Sequence, residues 1–370
     1  MENTKLFGNL TQLELSEMIR RHEEWLVDPT RGRKIDAAFV DFGGLQLSGN
    51  LSKAKFYQCR FDFSNFDKCI LDYSSFTECQ MNDVHFKSCS SSNGMELLKC
   101  LIIHSLFDKG IYVKSIITDC RFDNSSLPYV SIKESKIKGC NFTGSYWERG
   151  TFYKSEFDNC IFNDSNFIGF YMNETKFNGS QLKNIDFAAI VEMNNIIISE
   201  SDLSECIIEN KDFGKRNNKG SIIRENNFSN AKLNKTNFSE QEMFNSVFDG
   251  AEINDTSFSL CNLEKSSFRN ANGNNTMFSS TKLYNAVFSD AILPNSFWEG
   301  AHASRAILVR TNLTGASLKF SDFSNASMQQ AIIDLVQFGG CNLSGVAYPG
   351  GGTCEPGSIG RCLLTPHPNK

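Results

Sequence analysis

The sequence predicts a solenoid built from five-residue steps, and three observations carry that prediction. From Phe228 to Leu343 every fifth residue is large and apolar, as in Phe228, Leu233, Phe238, Met243, Phe248, Ile253 and Phe258. A small residue stands two positions before almost every one, as Ala231, Thr236, Ser246, Ala251 and Thr256 do. The same beat runs through most of the rest of the chain, and 24 of its 32 phenylalanines fall on it. Helices repeat near 3.6 residues and strands near 2, so a strict period of five belongs to neither alone. A repeat of this kind is settled before any other feature is read.

The order of the beats follows the chain. A first block runs from Leu51 through Phe56, Phe61, Phe66, Leu71, Phe76 and Met81 to Phe86. A second, one residue out of phase, runs from Leu97 to Phe187, and a third from Met193 to Leu343. Together they make 58 units, with only Asn218, Gly273 and Ala303 lacking a large apolar centre. The phase slips lie near residues 87–96 and 188–192, where a corner loop or bulge can absorb the odd residue. Gly214-Lys-Arg-Asn-Asn-Lys-Gly220 interrupts the pattern without shifting it and reads as a protruding loop.

Units such as Ser64-Asn65-Phe66-Asp67-Lys68, Ser165-Asn166-Phe167-Ile168-Gly169 and Thr311-Asn312-Leu313-Thr314-Gly315 resemble the pentapeptide-repeat family. The resemblance covers residues 51–345 and implies an all-β solenoid, a right-handed quadrilateral β-helix. In such a fold four units make one square coil, and the central and small residues point inward. Coils stacked at strand spacing hydrogen-bond one above another, and none buries its interior without neighbours. Fifty-eight units would give about fourteen coils, a rod on the order of 70 Å.

Residues 1–50 form the N-terminal segment. Residues 11–26 read as an amphipathic helix opened by a Thr11/Glu14 capping box, with Leu15, Met18, Ile19, His22, Trp25 and Leu26 on one face. Pro29 and Gly32 stop it. A similar extension occurs on many bacterial members of the family. Capping the exposed first coil is its expected role, with His22 as a packing residue. Residues 33–50 lead into the repeats, and residues 346–370 form a Gly/Pro-rich tail.

Eleven of the 13 cysteines occupy the small inward slot, with Cys100, Cys120, Cys140 and Cys160 in one expected column. They read as small buried hydrophobes suited to a reducing cytosol. Cys354 and Cys362 stand outside the repeats and are able to close a loop by disulfide, or to stay reduced. With His367 they fall short of a zinc set.

The chemistry of an enzyme is missing from this reading. The five histidines are scattered at 22, 85, 104, 302 and 367, and no phosphate loop, H-E-x-x-H or nucleophile elbow occurs. No catalytic residue, cofactor or metal is assigned. Net charge is −5, residues 51–187 carry 16 acidic and 16 basic side chains, and no basic excess points to direct nucleic-acid binding. No signal peptide or membrane span is read. The expectation is a cytoplasmic, non-enzymatic scaffold that docks another macromolecule, a protein, on flat faces. Outward Tyr129, Tyr146, Tyr153 and Tyr171 are the candidate contact patch. Two alternatives stand beside it. Some family members resemble duplex DNA and protect or inhibit DNA gyrase, although the balanced charge and helix-free tail here differ from theirs. A secreted bacterial effector is the other.

Overall fold

The computed structural model describes residues 8–364 and resolves into two compact units. One comprises residues 1–185 and 189–193, the other 186–188 and 194–370, counting the sequence that each contains. Both are parallel β-helices of square coils, and the single α-helix among the described residues lies near the N-terminus.

In the first unit, β1 (Gly8–Asn9) pairs in parallel with β3 (Val40–Asp41). Helix α1 (Gln12–Val27) follows β1, and the capping box is present in both directions: Thr11 accepts from the Glu14 amide, and Glu14 accepts from that of Thr11. Extended Asp28 and then Pro29 end the helix. Its buried face is Leu15, Ile19 and His22, with Met18, Trp25 and Leu26 half-buried. The helix lies against β4 (Gln46–Asn50) and tends that strand's backbone. The Gln12 amide donates to Gln46 O at 2.9 Å and accepts from Gln46 N at 2.8 Å, while Glu23 accepts from Asn50 N at 2.8 Å.

Inward packing begins at Ile35, Ala37, Phe42 and Leu47, ahead of Leu51 where the beat of five becomes regular. The early coil is hard to read from sequence because Ala37 is a small centre. The step from Leu47 to Leu51 also loses a residue, where the ladder to β6 (Asn65–Ile70) shifts register. β2 (Asp36–Ala38) starts a run of parallel strands through β5 (Lys55–Tyr57), Ser75–Thr77, Glu96–Leu98, Ile116–Thr118, Lys136–Lys138, Glu156–Asp158 and Lys176–Asn178. Most partners there sit twenty residues apart, as Ile117 and Ile137 do, because four five-residue sides close one coil; the first pair, Ala37 with Phe56, is nineteen apart.

At the first slip the offset is one residue longer, with Phe76 opposite Leu97 and Phe86 opposite Phe107. The extra residue is taken up at a corner, Ser92-Asn93-Gly94. There Asp72 accepts from the amides of Ser92 and Asn93 at 2.6 and 3.2 Å, and Gly94 adopts φ +82°. At the second slip the chain makes a 3-10 turn, Phe187–Ala189.

Beyond the paired strands Ile197–Ser199 and Ile222–Arg224, the second unit is built mainly of isolated parallel bridges, most of them twenty residues apart, such as Asn262 with Lys282 and Lys282 with His302. Its axis is filled by stacked rings. Phe228, Phe248, Phe268 and Phe288 form one column with centroids 5.1, 4.5 and 4.8 Å apart. Phe238, Phe258, Phe278 and Trp298 form another at 5.5, 5.4 and 4.5 Å. The columns meet edge-to-face, with Phe258 and Phe268 inclined at 84°. The stacking follows the coil spacing of roughly 4.8 Å. Inserted residues 214–220 lengthen one coil, so Asp212 faces Asn237 at an offset of 25. Asn218, one of the odd centres, is held there by its amide: it donates to Asp212 O at 3.3 Å and accepts from Asn195 N at 2.8 Å.

Candidate interaction surface

The five-residue side repeats one conformation, and that repetition fixes what the outside can present. The residue two after almost every centre turns the corner with positive φ, as at Lys235 (57°), Asn245 (55°) and Asp255 (54°). Asn, Asp and Gly adopt this conformation most readily. The side chains flanking each centre stand outward in columns, one per coil.

The tyrosines occupy such positions in the first unit. Tyr153 and Tyr171 lie on neighbouring strands of one sheet, Tyr153 opposite Asn173 and Tyr171 opposite Thr151. Tyr146 lies on the preceding face, bridged to Ser126 and Asn166, and Tyr129 turns the corner between the two faces at φ 58°. Tyr129, Tyr146 and Tyr171 are exposed, and Tyr153 is half-buried. Among the described residues no ring contact joins the four. Instead Arg149 reaches the Tyr129 hydroxyl at 3.4 Å, and Lys154 Nζ lies 4.9 Å over the Tyr153 ring. The surface is thus a set of aromatic spots edged by cations.

Behind this face sits an unusual column of small slots: Gly110, Val130, Gly150, Phe170 and Ile190. Phe170 is too large for a small slot, and the strain is relieved one coil away. A Cβ on Gly150 would lie 2.5 Å from the Phe170 ring. Phe170 then packs on Phe152 at 4.7 Å and Phe167 at 5.4 Å.

The cysteines also line up as slots. The column holds Cys59 and Cys79 beneath Cys100, Cys120, Cys140 and Cys160, all fully buried. Thiols there meet main-chain groups of adjacent coils: Cys100 N donates to Cys120 Sγ at 3.3 Å, and Cys140 Sγ lies 3.6 Å from Ile117 O. Burial pushes the Cys261 thiol up to about 12, far from a reactive thiolate. No cluster among the described residues has the makings of a metal site. Cys354 and Cys362 are disulfide-bonded, and His367 lies outside the described residues.

His22 is a packing residue with a fixed tautomer. Nε2 donates to Ser52 O at 3.0 Å, and Nδ1 accepts from Ile35 N at 3.0 Å, so the neutral ring ties α1 to the first coils. Burial lowers its pKa, against the pull of the Ser52 carbonyl. Beside it α1 and β2 enclose a groove of about 460 Å³ lined by Glu14, Glu17, Met18, Arg21, Arg33 and Asp36 among others. Of its carboxylates, Glu14 is committed to the Thr11 cap and Glu17 to Arg20.

Two buried polar side chains were missed in the sequence reading. Gln241 and Asn226 fill small slots beside the lengthened coil. Gln241 donates to Phe213 O at 2.6 Å and Ser221 O at 3.1 Å, and accepts from Ile223 N at 3.0 Å. Asn226 donates to Ile198 O at 2.9 Å and accepts from Ser201 N at 2.9 Å. Their amides stand in for main-chain partners displaced by the insertion. A long amide in a slot held mostly by Ser, Thr, Ala or Cys was the available signal.

Some outward carboxylates meet a partner on the adjacent coil. Glu156 meets Lys176, Asp290 meets Arg310 at 2.6 Å, and Asp212 accepts from Asn237 at 2.8 Å. No helix among the described residues is long and apolar enough to cross a membrane.

The family model for pentapeptide repeats matches in 8 copies, over residues 50–87, 227–259, 254–290, 282–319 and 306–345. No curated protein matches the chain. Among solved structures, HetL of the cyanobacterium Nostoc sp. strain PCC 7120, a pentapeptide repeat protein involved in heterocyst differentiation regulation, is 20% identical. That match covers 63% of this chain and 92% of HetL, at a TM-score of 0.33. Full-length QnrB1, a plasmid-mediated fluoroquinolone resistance protein, is 11% identical over 59% of this chain and 93% of its own, at 0.28. A pentapeptide repeat protein of the Arabidopsis thaliana thylakoid lumen is 23% identical over 30% of this chain and 70% of its own, at 0.16.

Proposed function

We infer, from the premise that this chain is a pentapeptide-repeat protein, a non-enzymatic interaction module whose flat faces dock another protein. The observation that carries the reading is a filled axis under regular outward columns. Phe238, Phe248 and Phe258 are fully buried, so the coils hold no substrate chamber, and the chemistry is laid out on the surface. Exposed tyrosines edged by Arg149 and Lys154 have the composition of contact residues, apolar bodies with polar rims.

A nucleic-acid mimic would need rows of unneutralised acid. Pairing such as Glu156 with Lys176 and Asp290 with Arg310 supports a protein-docking surface over that alternative. The reading includes a cytoplasmic location, consistent with buried thiols such as Cys100, Cys120 and Cys140; there Cys354 and Cys362 would be kept as two thiols. Affinity capture from native lysate tests it. A captured partner is expected to be lost several-fold with the double variant Tyr153→Ala/Tyr171→Ala. Undiminished capture removes the tyrosine patch, and suppression of supercoiling as the protein is titrated into a gyrase assay would favour the mimic.

A further inference from the structure

The top of the second unit is closed on two sides and open on the other two. The tail folds back in antiparallel bridges, Asn342 with Ile359, Ala347 with Thr353 and Cys354 with Leu364. It supplies the next layer for two sides: Leu343 N donates to Ser358 O at 2.8 Å and Gly345 N to Cys354 O at 2.9 Å. Residues 331–340 receive no such layer among the described residues.

The coil beneath shows what these residues lack. There Leu313 N, Gly315 N, Leu318 N and Phe320 N donate upward to Ile332 O, Asp334 O, Gln337 O and Gly339 O, and Thr311 O and Ala316 O accept from Ile332 N and Gln337 N. One coil higher the equivalent amides of Ile333, Leu335, Phe338 and Gly340 and the carbonyls of Ala331 and Val336 have no partner among the described residues. The inward side chains are uncovered too. Leu313, Ala316 and Leu318 are fully buried, whereas Ile333, Val336 and Phe338 are only half-buried. Leu335 (φ 59°, 84% exposed) and Phe320 (φ 57°, 76% exposed) flank this ledge, two large apolar residues in a conformation that favours glycine.

We propose that the 331–340 ledge is a docking site for an extended segment of a partner protein that adds one more half coil. Its recognition chemistry would be two apolar side chains five residues apart and an acceptor-rich backbone edge. The edge's own polarity selects this occupant. The ledge presents two donors for every acceptor, so two copies facing each other would set donors against donors and leave amides unpaired. The underside of a five-residue coil has the opposite ratio, because it supplies the carbonyls that Leu313, Gly315, Leu318 and Phe320 use one layer down. The chain's own Thr365-Pro-His-Pro-Asn-Lys370 offers no large apolar side chain to lie over Ile333 and Phe338. Strand addition at an exposed edge, with main-chain bonds for affinity and pockets for alternate side chains, is an established mode of peptide recognition. The ledge belongs to the second unit and the tyrosines to the first, and its role does not depend on theirs.

A fluorescein-labelled peptide of residues 311–320, the half coil whose underside has the required polarity, is the probe. Fluorescence polarisation with the full chain should saturate. The peptide with Leu313→Asn and Leu318→Asn should bind at least tenfold more weakly, as should Leu335→Asp protein, whose substitution lies at an exposed position. Hydrogen exchange should show the amides of Ile333, Leu335, Phe338 and Gly340 fast in the free protein and slowed by the peptide. Absence of saturation, or equal binding of the two peptides, overturns the proposal. So does a concentration-dependent dimer in sedimentation with those amides protected, which makes a second copy the occupant. Protection in the free protein that disappears when residues 365–370 are deleted overturns it in favour of the chain's own tail.

Discussion

At the scale of the residue, the interior is decided by pairs of neighbouring coils rather than by single positions. Tyr112 stands at a centre directly above Ser91, and Gly110 clears the space it needs: a Cβ there would lie 2.5 Å from the ring. Its hydroxyl is buried with no hydrogen-bond partner, as is Ser91 Oγ. An unmet buried hydroxyl costs roughly 1–3 kcal/mol. Tyr112→Phe is therefore expected to raise stability by about 1 kcal/mol, seen as a later denaturant midpoint at unchanged m-value; a loss of stability would show that the hydroxyl is satisfied.

His22 gives a pH-dependent counterpart. Its folded pKa lies below the ordinary value of about 6.5 because burial penalises the charged ring, and only the neutral ring can accept from Ile35 N. The unfolded chain then binds the proton more readily than the folded one. The stability this residue contributes is complete above about pH 6.5 and falls as the pH drops from there toward the folded pKa. Denaturant midpoints between pH 7 and 5 should fall less steeply for His22→Gln than for the native chain.

At the scale of the element, legibility in the sequence followed the regularity of the beat. The helix was readable because capping box and apolar stripe agree, and the slips were readable as breaks in phase. The first inward residues, Ile35 to Leu47, were obscured because Ala37 is small and one step is four residues long. Ser91 was passed over as a centre because nothing in its polarity marks it as inward. The tyrosine positions followed from the period alone, whereas their neighbours Arg149 and Lys154 depend on side-chain reach between coils, which a period does not encode. Gln241 is the sharpest case, since its meaning lies in a gap opened by residues 214–220. Replacing it with Ala would strand Ile223 N, Phe213 O and Ser221 O in the interior. Gln241→Ala should lose at least about 2 kcal/mol in chemical denaturation, given the cost of each unmet buried group. A loss below about 0.5 kcal/mol would mean that water enters and takes its place.

At the scale of the whole molecule, a solenoid's stability is a sum over coils and the contacts between neighbours. The value of a buried ring then depends on whether a coil lies on both sides of it. Phe258 is fully buried, with Phe238 below and Phe278 above at 5.5 and 5.4 Å. Phe338 occupies the equivalent centre at the open ledge and is half-buried, lacking a described layer above. Phe258→Ala removes a ring enclosed on all sides and should cost about 3–5 kcal/mol. Phe338→Ala removes a ring whose outer surface already meets solvent, and it should cost less than half as much, in proportion to the smaller area returned to water. Denaturant unfolding of the two variants, followed by far-UV circular dichroism, compares them directly. If Phe338→Ala proves as costly as Phe258→Ala, something covers the ledge in the free protein. Restoration of the difference on deleting residues 365–370 would identify the chain's own tail as that cover.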